Sequence, residues 1–184
     1  MLNIGSYCSY SRNLPEDNIH RIYHDTEYGF PLNSDNELFG RLILEINQAG
    51  LSWETILKKQ NNFRKAFSFF DIKKIANYQH NDIKSLLENK GIIRNKLKIN
   101  AIIYNANKIM KLKSQHGSFK KWLDQQQSLN LNSWLRVFKN EFKFIGKEIV
   151  NEFLISTSYI PGAHVKQCAI HKLIIKKNPI WLQK

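Results

Sequence analysis

A chain of 184 residues with 42% hydrophobic side chains can bury a core and is too apolar to be disordered, with room for one domain or two closely packed lobes. Its 28 Lys and Arg against 15 Asp and Glu leave a net charge of +13; this charge attracts polyanions, nucleic acid first among them, unless the lysines merely solvate the surface. No stretch approaches the roughly 20 apolar residues of a membrane helix and no basic-then-apolar leader opens the chain, so a cytoplasmic protein with no membrane partner is expected, in which a disulfide between Cys8 and Cys168 is disfavoured.

Helical periodicity dominates from residue 34 onward. Ser34 with Glu37 reads as a capping box, and Leu38, Phe39, Leu42, Ile43 and Ile46 recur at helical spacing up to about Gln48, where Ala49-Gly50 ends the run. Ser52 caps a helix carrying Trp53, Ile56 and Leu57. Phe63, Ala66, Phe67 and Phe70 mark another apolar stripe, and Asp71 caps a short helix with Ile72, Ile75 and Ala76. Ile83, Leu86 and Leu87 make one more, ending at Gly91. A long helix starts near Asn95 and ends before Gly117. Phe119, Trp122 and Leu123 predict a short helix, and Gln125 to Asn132 a polar connection. Trp134 to Phe138 is helical again, and Phe142-Lys143-Phe144-Ile145-Gly146 is extended or turn-like. Ile149, Val150, Phe153 and Leu154 form another helix. Pro161-Gly162 breaks the chain before a last short helix containing His164 and Cys168. Period-two strands are absent, so the predicted fold class is all-α.

Three constellations carry chemistry. His164 and Cys168 are four residues apart and share one face if helical; with Cys8 and His24 they make two cysteines and two histidines, a set that suits tetrahedral zinc. From spacing alone, two unrelated buried cysteines and surface histidines explain them equally well, and His20, His80, His116 and His171 are rivals. Gly91-Ile92-Ile93-Arg94 lies between two helices, where N–H groups at a helix start can hold a phosphate, with charge from Arg94, Lys96 and Lys98; an ordinary helix–helix turn with a glycine cap is the plainer reading. Glu45 falls beside Leu42 and Leu38 on a helical wheel, at the margin of an apolar face. A carboxylate near the aromatic Trp53 is what a site for an everted cationic base needs, and Tyr23 can add a hydroxyl; a rim glutamate paired with a lysine is the alternative.

These residues together resemble the 3-methyladenine DNA glycosylase I family. The similarity runs in order through Tyr23-His24-Asp25-Thr26-Glu27-Tyr28-Gly29, Leu38-Phe39, Glu45, Gln48-Ala49-Gly50-Leu51-Ser52-Trp53, Gly91-Ile92-Ile93-Arg94 with Lys98-Ile99, Phe142-Lys143-Phe144-Ile145-Gly146, and His164 with Cys168. The resemblance implies a helix-hairpin-helix glycosylase fold over residues 1–184, a single domain of two helical lobes with the pocket between them. It implies structural zinc on Cys8, His24, His164 and Cys168, tying the two ends of the chain together. It puts Glu45 in the catalytic role, Tyr23, Trp53, Tyr10 and Tyr28 on the base, and Gly50, Leu51, Gly91, Arg94, Lys96 and Lys98 on DNA. The implied activity is base excision from double-stranded DNA containing alkylated bases: hydrolysis of the N-glycosidic bond of 3-methyladenine after base flipping, by a monomer. The departures are Tyr10 and Tyr28 where the family has Trp, Asn47 for Gln, Leu97 where Gly is usual, and Gly162-Ala163 before His164. A non-catalytic helix-hairpin-helix DNA-binding protein is the alternative; Glu45 and Trp53 argue against it, because gripping a backbone needs neither. A helix-turn-helix regulator would need an exposed reading helix, and no RNA-binding module is visible.

Overall fold

The computed structural model of the chain describes residues 6–183. Among them there are helices and connections and no strand, as the periodicity predicts, and no helix is long and apolar enough to cross a membrane. The chain divides into two units: a larger one, Asn33–Asn151, and a smaller one made of Met1–Leu32 with Glu152–Lys184.

The larger unit follows the sequence pattern closely. Helix α3 (Asp35–Gln48) buries Leu38, Phe39, Leu42, Ile43 and Ile46 completely. Helix α4 (Trp53–Ala66) starts where predicted, with the Ser52 hydroxyl accepting from the Thr55 N–H at 3.3 Å. It runs unbroken through Phe63, so the stripe assigned to a separate helix belongs in part to α4. Phe67 and Phe70 lie beyond it, where Ser68, Phe69 and Phe70 all have positive φ. A left-handed run of non-glycine residues costs about 1–2 kcal/mol each; burial of Phe70 and the 2.7 Å hydrogen bond between the Ser68 and Tyr78 hydroxyls offset it.

Helix α5 (Ile72–Ala76) is capped by Asp71 through the Lys74 N–H. Helix α6 (His80–Glu88) stops before Gly91, and α7 (Lys96–His116) begins at its Asn95 cap and ends at Gly117. Helix α7 packs against α5, α8, α3 and α6. Helices α8 (Phe119–Asp124) and α9 (Leu131–Glu141) bring Phe119, Trp122, Trp134, Phe138 and Phe142 into one buried aromatic group. The Ser34 capping box does not form: Ser34 is the N-cap residue, but its side chain makes no cap hydrogen bond. Asp35 serves a longer reach instead. Its carboxylate accepts from the Phe119 and Lys120 N–H groups at 3.1 and 2.9 Å and pairs with Lys113 at 2.9 Å.

The smaller unit holds α1 (Tyr7–Arg12), α2 (Ile19–Thr26), α11 (Ala169–Lys176) and a single 3₁₀ turn, Ile180–Leu182. Helix α10 (Lys147–Ser156) begins in the larger unit's segment and ends in this one. The expected last helix is corrected. Cys168 is the N-cap of α11, and His164 lies in the irregular stretch before it, so the two do not share a helix face. Gly29, at φ +76°, lets the chain pass so close to Ala163 that an added Cβ would collide with it. Its N–H donates to the Ser156 carbonyl at 2.9 Å and its carbonyl accepts from the Ser158 hydroxyl.

Candidate functional site

In the smaller unit the four predicted ligands converge, all buried, with one ligand atom from each of Cys8, His24, His164 and Cys168 within 4.8 Å of the others. They come from α1, α2, the irregular 161–168 stretch and the cap of α11. Convergence therefore rests on the whole unit, not on the four-residue spacing. Both imidazoles are fixed by a neighbour outside the cluster. His24 Nδ1 donates to the Asp25 carboxylate at 2.6 Å, and His164 Nε2 donates to the Tyr28 carbonyl at 2.8 Å. Since both acceptors lack a hydrogen to give, the protons sit on those nitrogens. The lone pairs of His24 Nε2 and His164 Nδ1 then face each other across 3.1 Å. Such an arrangement suits a shared cation, and a carboxylate or backbone carbonyl behind a ligating histidine is its usual support. Burial pushes the Cys8 thiol up to about 11 and the His164 imidazole down to about 4, so burial by itself favours the neutral form of both; a bound cation reverses the balance for a thiol. The group could hold a metal ion.

Around it lies an aromatic set. Tyr23 is buried, and its ring centroid is 5.6 Å from that of Tyr28. Tyr28 donates its hydroxyl to Glu152 at 3.3 Å. Tyr10 is 51% exposed, edge-on to His20. Tyr7, which the sequence reading passed over, is at the centre of this set, with its ring 6.4 Å from Tyr23, 5.5 Å from Tyr28 and 5.8 Å from His24. Its hydroxyl bonds to His20 Nδ1 at 3.1 Å.

In the larger unit Glu45 is only 4% exposed. A buried carboxylate is costly unless its partners compensate, and this burial on α3 sets Glu45 apart from a rim glutamate. Trp53 opens α4, half-buried. Between them the chain makes a tight turn: the Leu51 N–H donates to the Gln48 carbonyl at 2.7 Å, and Gln48 Nε2 donates back to the Leu51 carbonyl at 3.0 Å. Gly50 takes φ +81° with open space around it, and Leu51 is an exposed apolar tip. An apolar side chain on a tightly bonded turn is suited to entering a gap in stacked bases.

The connection between α6 and α7 departs from expectation in two places. The Gly91 N–H, offered above to a phosphate, is taken by the Asn89 side chain at 2.8 Å. Gly91 instead permits close approach: an added Cβ would lie 3.2 Å from Asn62. Lys98, placed above on DNA, is 4% exposed and turned inward, donating to the Asn47 and Ala49 carbonyls at 2.8 and 2.7 Å. Burial lowers its pKa from the ordinary lysine value. Arg94 and Lys96 remain exposed beside the start of α7.

The methyladenine glycosylase family model matches residues 14–137. The chain belongs to that family. Similar methyladenine glycosylases include DNA-3-methyladenine glycosylase 1 of Escherichia coli (strain K12), 41% identical over 104 residues, 56% of this chain and 56% of that protein. DNA-3-methyladenine glycosylase of Haemophilus influenzae (strain ATCC 51907 / DSM 11121 / KW20 / Rd) is 46% identical over 91 residues, 50% of this chain and 49% of that one. The chain thus matches about half the length of these curated relatives. A solved structure addressing 3-methyladenine recognition by the 3-methyladenine DNA glycosylase I of Staphylococcus aureus superposes with a TM-score of 0.77 at 30% identity, covering 85% of this chain and 93% of that one.

Proposed function

We propose that this methyladenine glycosylase excises 3-methyladenine from double-stranded DNA. The observation that carries the reading is the buried Glu45 carboxylate on α3, followed within eight residues by the exposed Gly50-Leu51 tip and by Trp53, in a chain of this family. A base methylated at N3 is cationic while still joined to its sugar. The bond from C1′ to the base breaks, the base takes the electron pair and leaves neutral, and water adds to C1′ and gives its proton to solvent. No strong acid is needed. Selection rests on binding: the Glu45 carboxylate favours the charged lesion, a charge that normal adenine lacks, and it also stabilises the positive charge that develops on the sugar as the bond breaks. Trp53 stacks on the base. Leu51, with Gly50 giving the turn its shape, fills the gap left by eversion.

The α6–α7 connection is read as a helix-hairpin-helix grip on the phosphate backbone. Gly91 allows the tight packing, and the exposed Arg94 and Lys96 supply charge next to the α7 N-terminus. A net charge of +13 draws the protein to DNA.

Zinc is the metal assigned to Cys8, His24, His164 and Cys168. A tetrahedral ion with bonds of about 2.0 Å to nitrogen and 2.3 Å to sulfur separates its ligand atoms by about 3.3–3.8 Å. The corresponding distances are 3.1 Å between His24 Nε2 and His164 Nδ1, 3.5 Å from Cys8 Sγ to His164 Nδ1, and 3.8 and 3.7 Å from Cys168 Sγ to the two imidazoles. Four protein ligands would close the coordination shell, so the ion would serve as a structural tie. Thiolate ligation suits the reducing cytoplasm.

The experiment is incubation of the purified chain with DNA carrying 3-methyladenine, with chromatography of the free base. Release by the wild type, reduced in Glu45→Gln, is expected. Binding to the DNA with release no faster than in buffer would reject the assignment and leave a non-catalytic binding protein.

A further inference from the structure

Lys98 lies in step with Ile102, Asn105, Ile109 and Leu112 on the buried stripe of α7. A lysine on that stripe loses solvation and needs strong acceptors. It has them in the carbonyls of Asn47 and Ala49, some fifty residues away in sequence, which belong to the end of α3. The last carbonyls of a helix have no partner inside it, and α3 carries no basic residue in its own last turn. The ammonium of Lys98 fills that place from another helix, and its charge complements the negative end of the α3 dipole. Lys98 is itself held at the backbone, since its N–H donates to the Asn95 cap at 3.1 Å. One residue is thus tied at one end to the first turn of α7 and at the other to the base of the turn that presents Leu51.

A third segment meets the same ammonium. The Phe144 ring centroid is 5.7 Å from Lys98 Nζ, close enough for attraction to the ring face. Phe144 holds a left-handed φ of 58°, rare for a bulky residue. The residue before it is pinned by Asn105, whose side chain donates to the Lys143 carbonyl at 3.1 Å and accepts from the Lys143 N–H at 2.8 Å. Both polar residues on the α7 stripe, Lys98 and Asn105, therefore hold backbone that would otherwise be loose.

We propose that Lys98 is a positioning residue that fixes the distance between the DNA-gripping start of α7 and the Gly50-Leu51 tip, so that the tip enters the duplex in register with the gripped phosphates. The inference rests on the excision reading above. Charge-assisted bonds of 2.7 and 2.8 Å from a single ammonium define that distance tightly. A misplacement of about 1 Å away from the reacting atoms can cost about a hundredfold in rate. The tip matters only where a base must be pulled from a stack, so single-stranded DNA makes little demand on it.

The test compares wild type, Lys98→Met, Lys98→Gln and Lys98→Arg, each as the full chain with its metal, on duplex and single-stranded oligonucleotides carrying 3-methyladenine. Folding is followed by thermal melts, and amide hydrogen exchange is read at Gly50 and Leu51. For Lys98→Met the expected result is a fall in duplex kcat of about tenfold or more with little change in KM, because Arg94 and Lys96 still hold the backbone. Single-strand release should change by less than about threefold, exchange at Leu51 should quicken, and Lys98→Arg should recover part of the duplex rate. An unchanged ratio of duplex to single-strand rates in a folded Lys98→Met protein overturns the proposal. So does failure of all three variants to fold, which assigns Lys98 to the fold alone. If the wild type releases no base, the excision reading fails on its own, and unchanged exchange at Leu51 then removes the positioning claim independently.

Discussion

The two units solve the same problem, holding buried polar groups in place, by different means. The larger unit is one continuous stretch, and its helices meet neighbours near in sequence through apolar stripes; where a polar group is buried, one side chain such as Lys98 or Asn105 meets the backbone groups that need it. The smaller unit joins the two ends of the chain, and four side chains separated by up to about 160 positions meet at its cluster. Closing so long a loop carries an entropic penalty that short helices cannot offset by themselves. The lesson is that a discontinuous unit gathers distant polar side chains into a cluster that could hold a metal ion, where a continuous one leans on periodicity.

Removing the ligand chemistry should break this contrast most visibly. Cys168→Ser is expected to take metal content from near one ion per chain to near none and to lower the melting temperature by about 10 °C or more, since a structural zinc contributes several kcal/mol. Elemental analysis and melts check it. Hydrogen exchange sharpens it: amides of α11 should lose protection while those of α3 and α7 keep theirs. Loss of protection in all three together would contradict the division drawn here.

The next largest effect falls on chemistry in the larger unit. Glu45→Gln removes a charge worth about 1.5–3 kcal/mol in a hydrogen bond, which corresponds to about a ten- to hundredfold slower release of 3-methyladenine. Single-turnover rates with a circular dichroism check on folding measure it.

Asp35→Asn tests the larger unit's own long-range tie. Burial alone would raise the pKa of Asp35, but the Lys120 N–H, the Lys113 ammonium and the Phe119 N–H together hold it below the ordinary aspartate value. A carboxylate with a depressed pKa contributes stability above the unfolded value of about 3.9 and loses it as pH falls through the folded value. The variant should be less stable by about 1.5–3 kcal/mol at neutral pH in urea melts, and the two proteins should converge at acid pH. A constant gap down to the lowest pH at which both fold would show that the ionised carboxylate is not the source.

The smallest structural effect is expected at the tip. Leu51→Ala, at an exposed position, should change stability by less than about 0.5 kcal/mol. Its release of base from duplex DNA should nonetheless slow several-fold relative to single-stranded DNA. Equal rates on both would remove Leu51 from the wedge role.

Much of the larger unit is legible because helix burial has a period. The stripes of α3 and α7 and the caps at Ser52, Asp71 and Asn95 all announce their elements. The same pattern holds the clue to Lys98, which is in step with Ile102 and Ile109: its charge points to DNA and its phase to the core. The smaller unit resisted. Helices α1 and α2 are too short to show a stripe, and the Asn18 cap of α2 was the available signal. The four ligands were legible as residue types, and their convergence was not, because it depends on irregular chain at 161–168. Asp25 and Tyr28 lie in the family-like Tyr23–Gly29 segment, but nothing in the sequence shows that the Asp25 carboxylate and the Tyr28 carbonyl orient the imidazoles.

The depth of the sulfur atoms has its own consequence. Cys8 and Cys168, the only cysteines in the chain, are 2% and 7% exposed. Electrophiles that methylate ring nitrogens in DNA also attack thiolates, the reactive form of cysteine. A protein whose thiols are buried in this way presents almost no cysteine sulfur to such reagents.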